Sequence, residues 1–113
     1  MTDILVIEDN EELGQLITDF LKREGYSVAW EKSAEEGLKL TSEAAFKMLL
    51  LDVMLPGMNG FEALLEIRKN QKLPVLMMSA KTDEQSKVLG FEVGADDYID
   101  KPFSFKVLGL KIR

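Results

Sequence analysis

The chain alternates short apolar runs with longer segments whose apolar residues recur at helical spacing. Ile4-Leu5-Val6-Ile7 and Leu49-Leu50-Leu51 are continuous apolar runs closed by charged residues, the pattern of strands buried on both faces of a parallel sheet. The first strand is expected over Asp3–Ile7. Leu13, Leu16, Ile17, Phe20 and Leu21 then share a helical face between Asn10 and Arg23, and Gly25 stops that helix. Tyr26–Trp30 reads as a second strand. Ser33, with Glu36 three residues on, opens a second helix as a capping box, with Ala34, Leu38 and Ala45 among its apolar positions. Lys47–Leu51 reads as the third strand, and Pro56-Gly57 and Asn59-Gly60 mark a loop after it. Phe61–Lys69 follows as a helix with Leu64, Leu65 and Ile67 as its apolar members. Val75–Met78 is the fourth strand, Asp83–Val93 a weaker helix carrying Val88, Leu89 and Phe91, Asp97–Ile99 the fifth strand, and Phe103–Arg113 a short last helix.

Strands alternating with helices imply βαβ units, and right-handed crossovers leave few ways to arrange them. The expected class is α/β: one (βα)5 flavodoxin-like, doubly wound domain with a parallel five-stranded sheet in the order 2-1-3-4-5. Ligands bind such sheets at the carboxyl ends of the strands, where the winding reverses between the first and third strands. Both apolar runs end there in acids, Glu8-Asp9 after the first and Asp52 after the third. Crowded carboxylates repel and raise each other's pKa, so a cation belongs among them. A hard divalent ion suits oxygen ligands. Mg²⁺ uses one or two carboxylates and keeps several waters, which fits Asp9 and Asp52 as direct ligands with Glu8 acting through water. Asp52 is also placed to attack phosphorus and form an aspartyl-phosphate. From position alone it reads equally as a cap or a loop anchor, and Glu8-Asp9 double as N-cap acids of the helix they precede. Lys101 and Ser79 share the same strand-end location and offer an ammonium and a hydroxyl to a phosphoryl oxygen. Singly they would read as a surface lysine and a turn cap, and Tyr98 as packing.

Composition narrows the chemistry. With 113 residues the chain is one domain by the usual prior, and its 46% hydrophobic and 30% charged residues are those of an ordinary globular protein. Cysteine and histidine are both absent, which excludes disulfides, thiolate and imidazole metal sites, and Ser-His-Asp catalysis. A net charge of -6 speaks against nucleic-acid binding by this domain. No apolar stretch approaches the roughly 20 residues of a membrane helix. The first strand follows Met1 directly, leaving no room for a signal peptide, so the expected location is cytoplasmic. The last helix lacks a stop signal, as in a domain excised from a longer protein.

Ile4-Leu5-Val6-Ile7-Glu8-Asp9-Asn10, Leu51-Asp52-Val53-Met54-Leu55-Pro56-Gly57-Met58-Asn59-Gly60, Met78-Ser79-Ala80, Gly94-Ala95-Asp96-Asp97-Tyr98-Ile99 and Lys101-Pro102-Phe103 occur in that order. Together they resemble the CheY-like receiver domain of two-component response regulators, of the OmpR/PhoB type whose receiver precedes a winged-helix DNA-binding domain. The resemblance implies that Asp52 accepts a phosphoryl group from a sensor histidine kinase. It implies Mg²⁺ held by Glu8, Asp9, Asp52 and the Met54 backbone carbonyl, with Lys101 contacting the phosphoryl group. Ser79 and Tyr98 are implied as the switch pair that responds to it. It further implies a homodimer formed on phosphorylation through the fourth helix, fifth strand and fifth helix, where Lys87, Glu92, Asp96, Asp97 and Lys111 fit the pattern of charged pairs. Val107 departs from that pattern by standing where an acid is usual, and the segment between Asp52 and Ser79 is a few residues short. Met54 and Lys81 flank the site.

Three other readings compete. A flavodoxin-like cofactor binder would need a Ser/Thr/Gly-rich phosphate loop where this chain has Glu8-Asp9-Asn10-Glu11-Glu12. A hydrolase of the haloacid dehalogenase type would need an acid at position 54, which is Met54. A phosphorylation-independent interaction module would have no need of the acid, hydroxyl and lysine set.

Overall fold

Side chains alternate across a strand, so an apolar run in β1 (Thr2–Ile7) supplies two cores at once. The computed structural model describes residues 2–80 and 84–112. β1, β2 (Val28–Glu31), β3 (Phe46–Asp52), β4 (Val75–Ala80) and β5 (Asp97–Lys101) form one parallel sheet in the order β2-β1-β3-β4-β5. Ile4 and Val6 join Leu50, Leu76, Met78 and Ile99 beneath Ile17 and Leu21 of α1 (Glu11–Arg23) and Leu108 of α5 (Phe105–Ile112). Leu5 and Ile7 join Leu49, Leu51, Val75 and Met77 beneath Ala34 of α2 (Ala34–Glu43) and Ala63, Leu64 and Ile67 of α3 (Gly60–Arg68). Val93 of α4 (Glu84–Val93) packs on this second cluster. Fully burying one such aliphatic side chain is worth about 1.5–3 kcal/mol, so the strands are held mainly by this two-sided burial. The predicted α/β class and strand order are those observed.

Several boundaries differ from the sequence reading. β2 begins at Val28, not Tyr26. The Ser27 N–H donates to Asp3 Oδ2 at 2.9 Å and the Asp3 N–H to Ser27 Oγ at 2.8 Å, and pairing with β1 starts only at Ile4 and Val28. Tyr26 packs instead on the α1–α5 cluster. β4 and β5 run on to Ala80 and Lys101, which bring Ser79 opposite Asp100 and Ala80 opposite Lys101. Ala45 lies beyond α2 and is exposed, and Leu16 and Leu65 point outward at 48% and 53% exposure. Asn10 caps α1 with Oδ1 accepting from Leu13 N at 2.8 Å. At α2 only half of a capping box forms: Ser33 Oγ accepts from Glu36 N at 3.2 Å, while the Glu36 carboxylate accepts from the Ser33 hydroxyl. The complete box is at α3, between Asn59 and Glu62. Position 81 lies outside the described residues, as do the expected helix start at Asp83 and the end at Arg113.

Candidate functional site

The site grows from the carboxyl ends of β1, β3 and β5. Asp52 closes β3 and is held in the sheet by its neighbours, since Val53 N donates to Met78 O at 2.9 Å. Gly60 lets α3 begin directly on this backbone: a Cβ there would come within 2.3 Å of the Asp52 carbonyl oxygen. Glu8 is fully buried, Asp52 is 3% exposed, and Asp9 is exposed. One carboxylate oxygen from each lies within 4.8 Å of the others, so the three acids predicted to converge do so.

Lys101, the last residue of β5, reaches into this cluster and precedes a cis peptide bond to Pro102. Its Nζ lies 2.7 Å from Glu8 Oε1 and 3.1 Å from Asp52 Oδ1. Glu8 Oε2 accepts from Asn10 N at 3.1 Å, and Asp52 Oδ1 accepts from Met54 N at 3.3 Å. Burial pushes the Glu8 carboxyl up to about 7; the Lys101 and Asn10 hydrogen bonds pull it down, and the Asp52 charge adds to the rise. Burial works against the Lys101 charge, but the Glu8 hydrogen bond and the two carboxylates outweigh it and hold the ammonium above its ordinary range. Three carboxylates thus face one ammonium, which leaves two negative charges uncompensated when all are ionised. An all-oxygen donor set with that excess fits a hard divalent cation of the Mg²⁺ kind.

Ser79 is 1% exposed, and its hydroxyl has no hydrogen-bond partner among the described residues. A buried hydroxyl without a partner costs free energy unless a ligand supplies one. Tyr98 is buried at 7% exposure, with its ring 5.1 Å from that of Phe91. Met54 is 72% exposed beside the site, and its side chain lines the crevice with Leu13, Leu16, Pro102 and Phe103.

The charged residues expected on a dimer face are largely engaged within the chain. Lys87 pairs with Asp100, and Lys111 with Asp97 at 3.0 Å. Asp96 Oδ2 accepts from Val75 N at 2.7 Å and from Arg68 at 3.1 Å, which ties it to the start of β4 and the end of α3. Glu92 is exposed, as are Val88, Leu89, Phe91, Val107 and Leu110.

One contact at the site was not anticipated. The indole Nε1 of Trp30 donates to the backbone carbonyl of Glu8 at 2.9 Å. A signal for it lies in α1, where glycine is about 1 kcal/mol less favourable than alanine, yet Gly14 stands on the buried face. A Cβ at Gly14 would meet the Trp30 ring at 2.2 Å.

The response regulator receiver domain model matches residues 4–113. The chain belongs to that family. It is 42% identical over its full length to the transcriptional regulatory protein AfsQ1 of Streptomyces coelicolor, and 42% identical to the response regulator ArlR of Staphylococcus saprophyticus. It spans 50% and 51% of those two relatives, about half the length of the curated relatives it matches. Among solved structures, the chemotaxis response regulator CheY4 of Vibrio cholerae superposes with a TM-score of 0.93 at 29% identity, covering 99% of this chain and 96% of that one. The receiver domain of NtrX from Brucella abortus superposes with a TM-score of 0.92 at 32% identity, covering 97% and 94%. The fold of this chain is therefore shared with these two solved structures. No helix among the described residues is long and apolar enough to cross a membrane.

Proposed function

We propose that this receiver takes a phosphoryl group onto Asp52 from a phosphohistidine of a sensor kinase, and that the phosphorylated form controls an output, transcription in the first place. The observation that carries the reading is the Glu8–Asp52–Lys101 cluster: two buried acids tied to one ammonium, with Asp9 alongside. Both contacts of the Asp52 carboxylate fall on Oδ1, which leaves Oδ2 without a partner among the described residues. In the transfer an Asp52 oxygen forms the O–P bond as the P–N bond of the phosphohistidine breaks, and the released imidazole takes a proton from solvent. Phosphoryl transfer depends on positioning and on neutralising charge spread over the equatorial oxygens.

Glu8, Asp9, Asp52 and the Met54 carbonyl would hold Mg²⁺, which when bound supplies electrostatic stabilisation to the phosphoryl oxygens. Lys101 keeps its charge in the crevice because Glu8 and Asp52 support it, and so offers N–H donors to a phosphoryl oxygen. Ser79 offers the hydroxyl that otherwise lacks a partner. A phosphate adds roughly -1.5 to -2 charge and strong acceptor oxygens at the end of β3. Drawing Ser79 and Lys101 toward them would bias α4, β5 and Tyr98 between two arrangements. Homodimerisation through α4, β5 and α5 belongs to the same proposal. It requires Lys87, Asp97 and Lys111 to exchange intrachain partners for those of a second copy. Names such as transcriptional regulatory protein belong to longer relatives; they support an output domain beyond this one. A cytoplasmic location belongs to the same proposal.

Intact mass after incubation with acetyl phosphate tests the reading. One added phosphoryl group, dependent on Mg²⁺ and lost in Asp52→Asn, is expected. Full uptake by a folded Asp52→Asn would overturn it.

A further inference from the structure

We propose that Trp30 is a positioning residue for the divalent-cation site, acting on Asp9 through the peptide bond that joins it to Glu8. The inference rests on Glu8, Asp9 and Asp52 being the cation's ligands. Glu8 is anchored several times over: its N–H donates to Glu31 O at 3.1 Å, Oε2 accepts from Asn10 N, and Oε1 from Lys101. Asp9 is not. Its side chain is exposed and makes no hydrogen bond or ion pair with a described residue, so its carboxylate goes where its backbone sends it. The plane of the Glu8–Asp9 peptide sets that direction, and the carbonyl of this peptide is the atom that Trp30 Nε1 holds at 2.9 Å.

The surroundings fix the indole in turn. Trp30 pairs with Val6 of β1, one row before the last pair, Ile7 and Glu31. Its ring lies against the bare backbone of α1 at Gly14, where a Cβ would come within 2.3 Å of Cε2 and 2.6 Å of Nε1. The Lys32 ammonium sits 5.9 Å from the ring centroid. Strand, helix and indole therefore form a brace that ends on one carbonyl, between two acids whose oxygens must meet around one ion. Partners of metal ligands that act in this way typically change affinity about 10–100-fold when removed.

The test uses the whole chain in three forms: the natural protein, Trp30→Phe, and a protein with 3-benzothienylalanine at position 30. The analogue keeps the shape of the indole and replaces only its N–H by sulfur. Each is titrated with Mg²⁺ by calorimetry, and phosphoryl uptake from acetyl phosphate is followed against Mg²⁺ concentration. Both altered proteins are expected to bind Mg²⁺ about tenfold more weakly. The Mg²⁺ concentration for half-maximal uptake should rise by the same factor, while maximal uptake changes far less, a split that a general packing defect does not give. If Trp30→Phe fails to fold, the isosteric analogue decides the question. Natural Mg²⁺ affinity in the folded analogue would overturn the role of Trp30. Absence of Mg²⁺ binding by the natural protein would overturn the cation site itself, and the inference with it.

Discussion

Asp3, near the start of β1, and Glu8, just past its end, are acids at the two edges of the sheet, yet their surroundings treat them oppositely. At the amino edge of the sheet, Asp3 accepts from Ser27 N and pairs with Lys47 at 3.2 Å. The Ser27 backbone hydrogen bond, then Lys47, hold its carboxyl below the usual carboxylate value of 3.8. At the carboxyl edge, Glu8 is buried beside Asp52, with the exposed Asp9 close by, and is pushed up to about 7. A cavity of about 590 Å³ opens beside Asp3, and a somewhat smaller one of about 500 Å³ beside Asp52. Cavity size therefore does not locate the chemistry. Uncompensated buried charge does, because it stores an electrostatic demand that only a cation or a proton can meet.

The strongest way to break this contrast is to remove the one ammonium at the carboxyl edge. Lys101→Ala strands Glu8 and Asp52 without their shared partner. Breaking a buried ion pair from one side costs about 3–5 kcal/mol, less where the remaining acid can take up a proton, as Glu8 does; we expect about 2 kcal/mol in Mg²⁺-free denaturation. Phosphoryl uptake from acetyl phosphate should fall by at least about tenfold, the lower range for losing a charged contact to transferring oxygens. Lys47→Ala at the amino edge, where the lysine side chain is 64% exposed, should leave uptake unchanged. Equal effects of the two substitutions on uptake would erase the difference between the edges.

A second effect concerns pH. The Glu8 carboxyl rises on folding from a model value of 4.5 to about 7, so the folded chain holds this proton more tightly than the unfolded one. Stability contributed by the group is therefore greatest below about pH 4.5 and declines as pH rises toward 7, by at most about 1.4 kcal/mol per pH unit. In EDTA, Glu8→Gln should melt higher than the natural chain at pH 8 and alike at pH 4. Mg²⁺ and the proton compete for Glu8, so Mg²⁺ affinity should weaken up to tenfold per pH unit below about 7. A pH-independent affinity between 5.5 and 7.5 would remove Glu8 from the site.

Much of this arrangement was legible in the sequence because strand ends are marked by abrupt changes from apolar to charged residues. Ile7-Glu8 and Leu51-Asp52 are such changes, and the parallel topology then forces their acids together. Lys101 was legible only through its place after the fifth strand, since nothing local separates it from a surface lysine. The illegible parts are those decided by contacts across the fold. Tyr26 has strand-like character, yet β2 starts at Val28 because Ser27 is taken up by Asp3. Leu65 and Leu16 follow helical spacing but lie at the edge of their faces, and Ala63 and Gly14 take the buried positions. The Trp30 contact depends on a helix, a strand and a turn meeting at one carbonyl, which no single segment encodes. The charged residues around β5 fit a partner-facing pattern in the sequence, and the intrachain pairs that Asp96, Asp97, Lys87 and Lys111 also make depend on contacts between elements that the pattern does not encode.

The smallest predicted effect is the mirror image of the Glu8 result, and its sign is what sharpens the comparison. Asp3 has a folded pKa below its ordinary 3.8, so its contribution is present above that value and is lost as pH falls through the folded one. Asp3→Asn should therefore melt slightly lower than the natural chain at pH 7, and the gap should close on acidification. The Lys47 pair is exposed and screened, so raising the salt concentration should also narrow the gap at neutral pH. Melting curves of Asp3→Asn and Glu8→Gln, taken in EDTA between pH 3 and 8, should thus move in opposite directions relative to the natural chain. If both substitutions shifted stability with the same sign at neutral pH, the two ends of β1 would share one electrostatic environment, and burial at the carboxyl edge would no longer account for its chemistry.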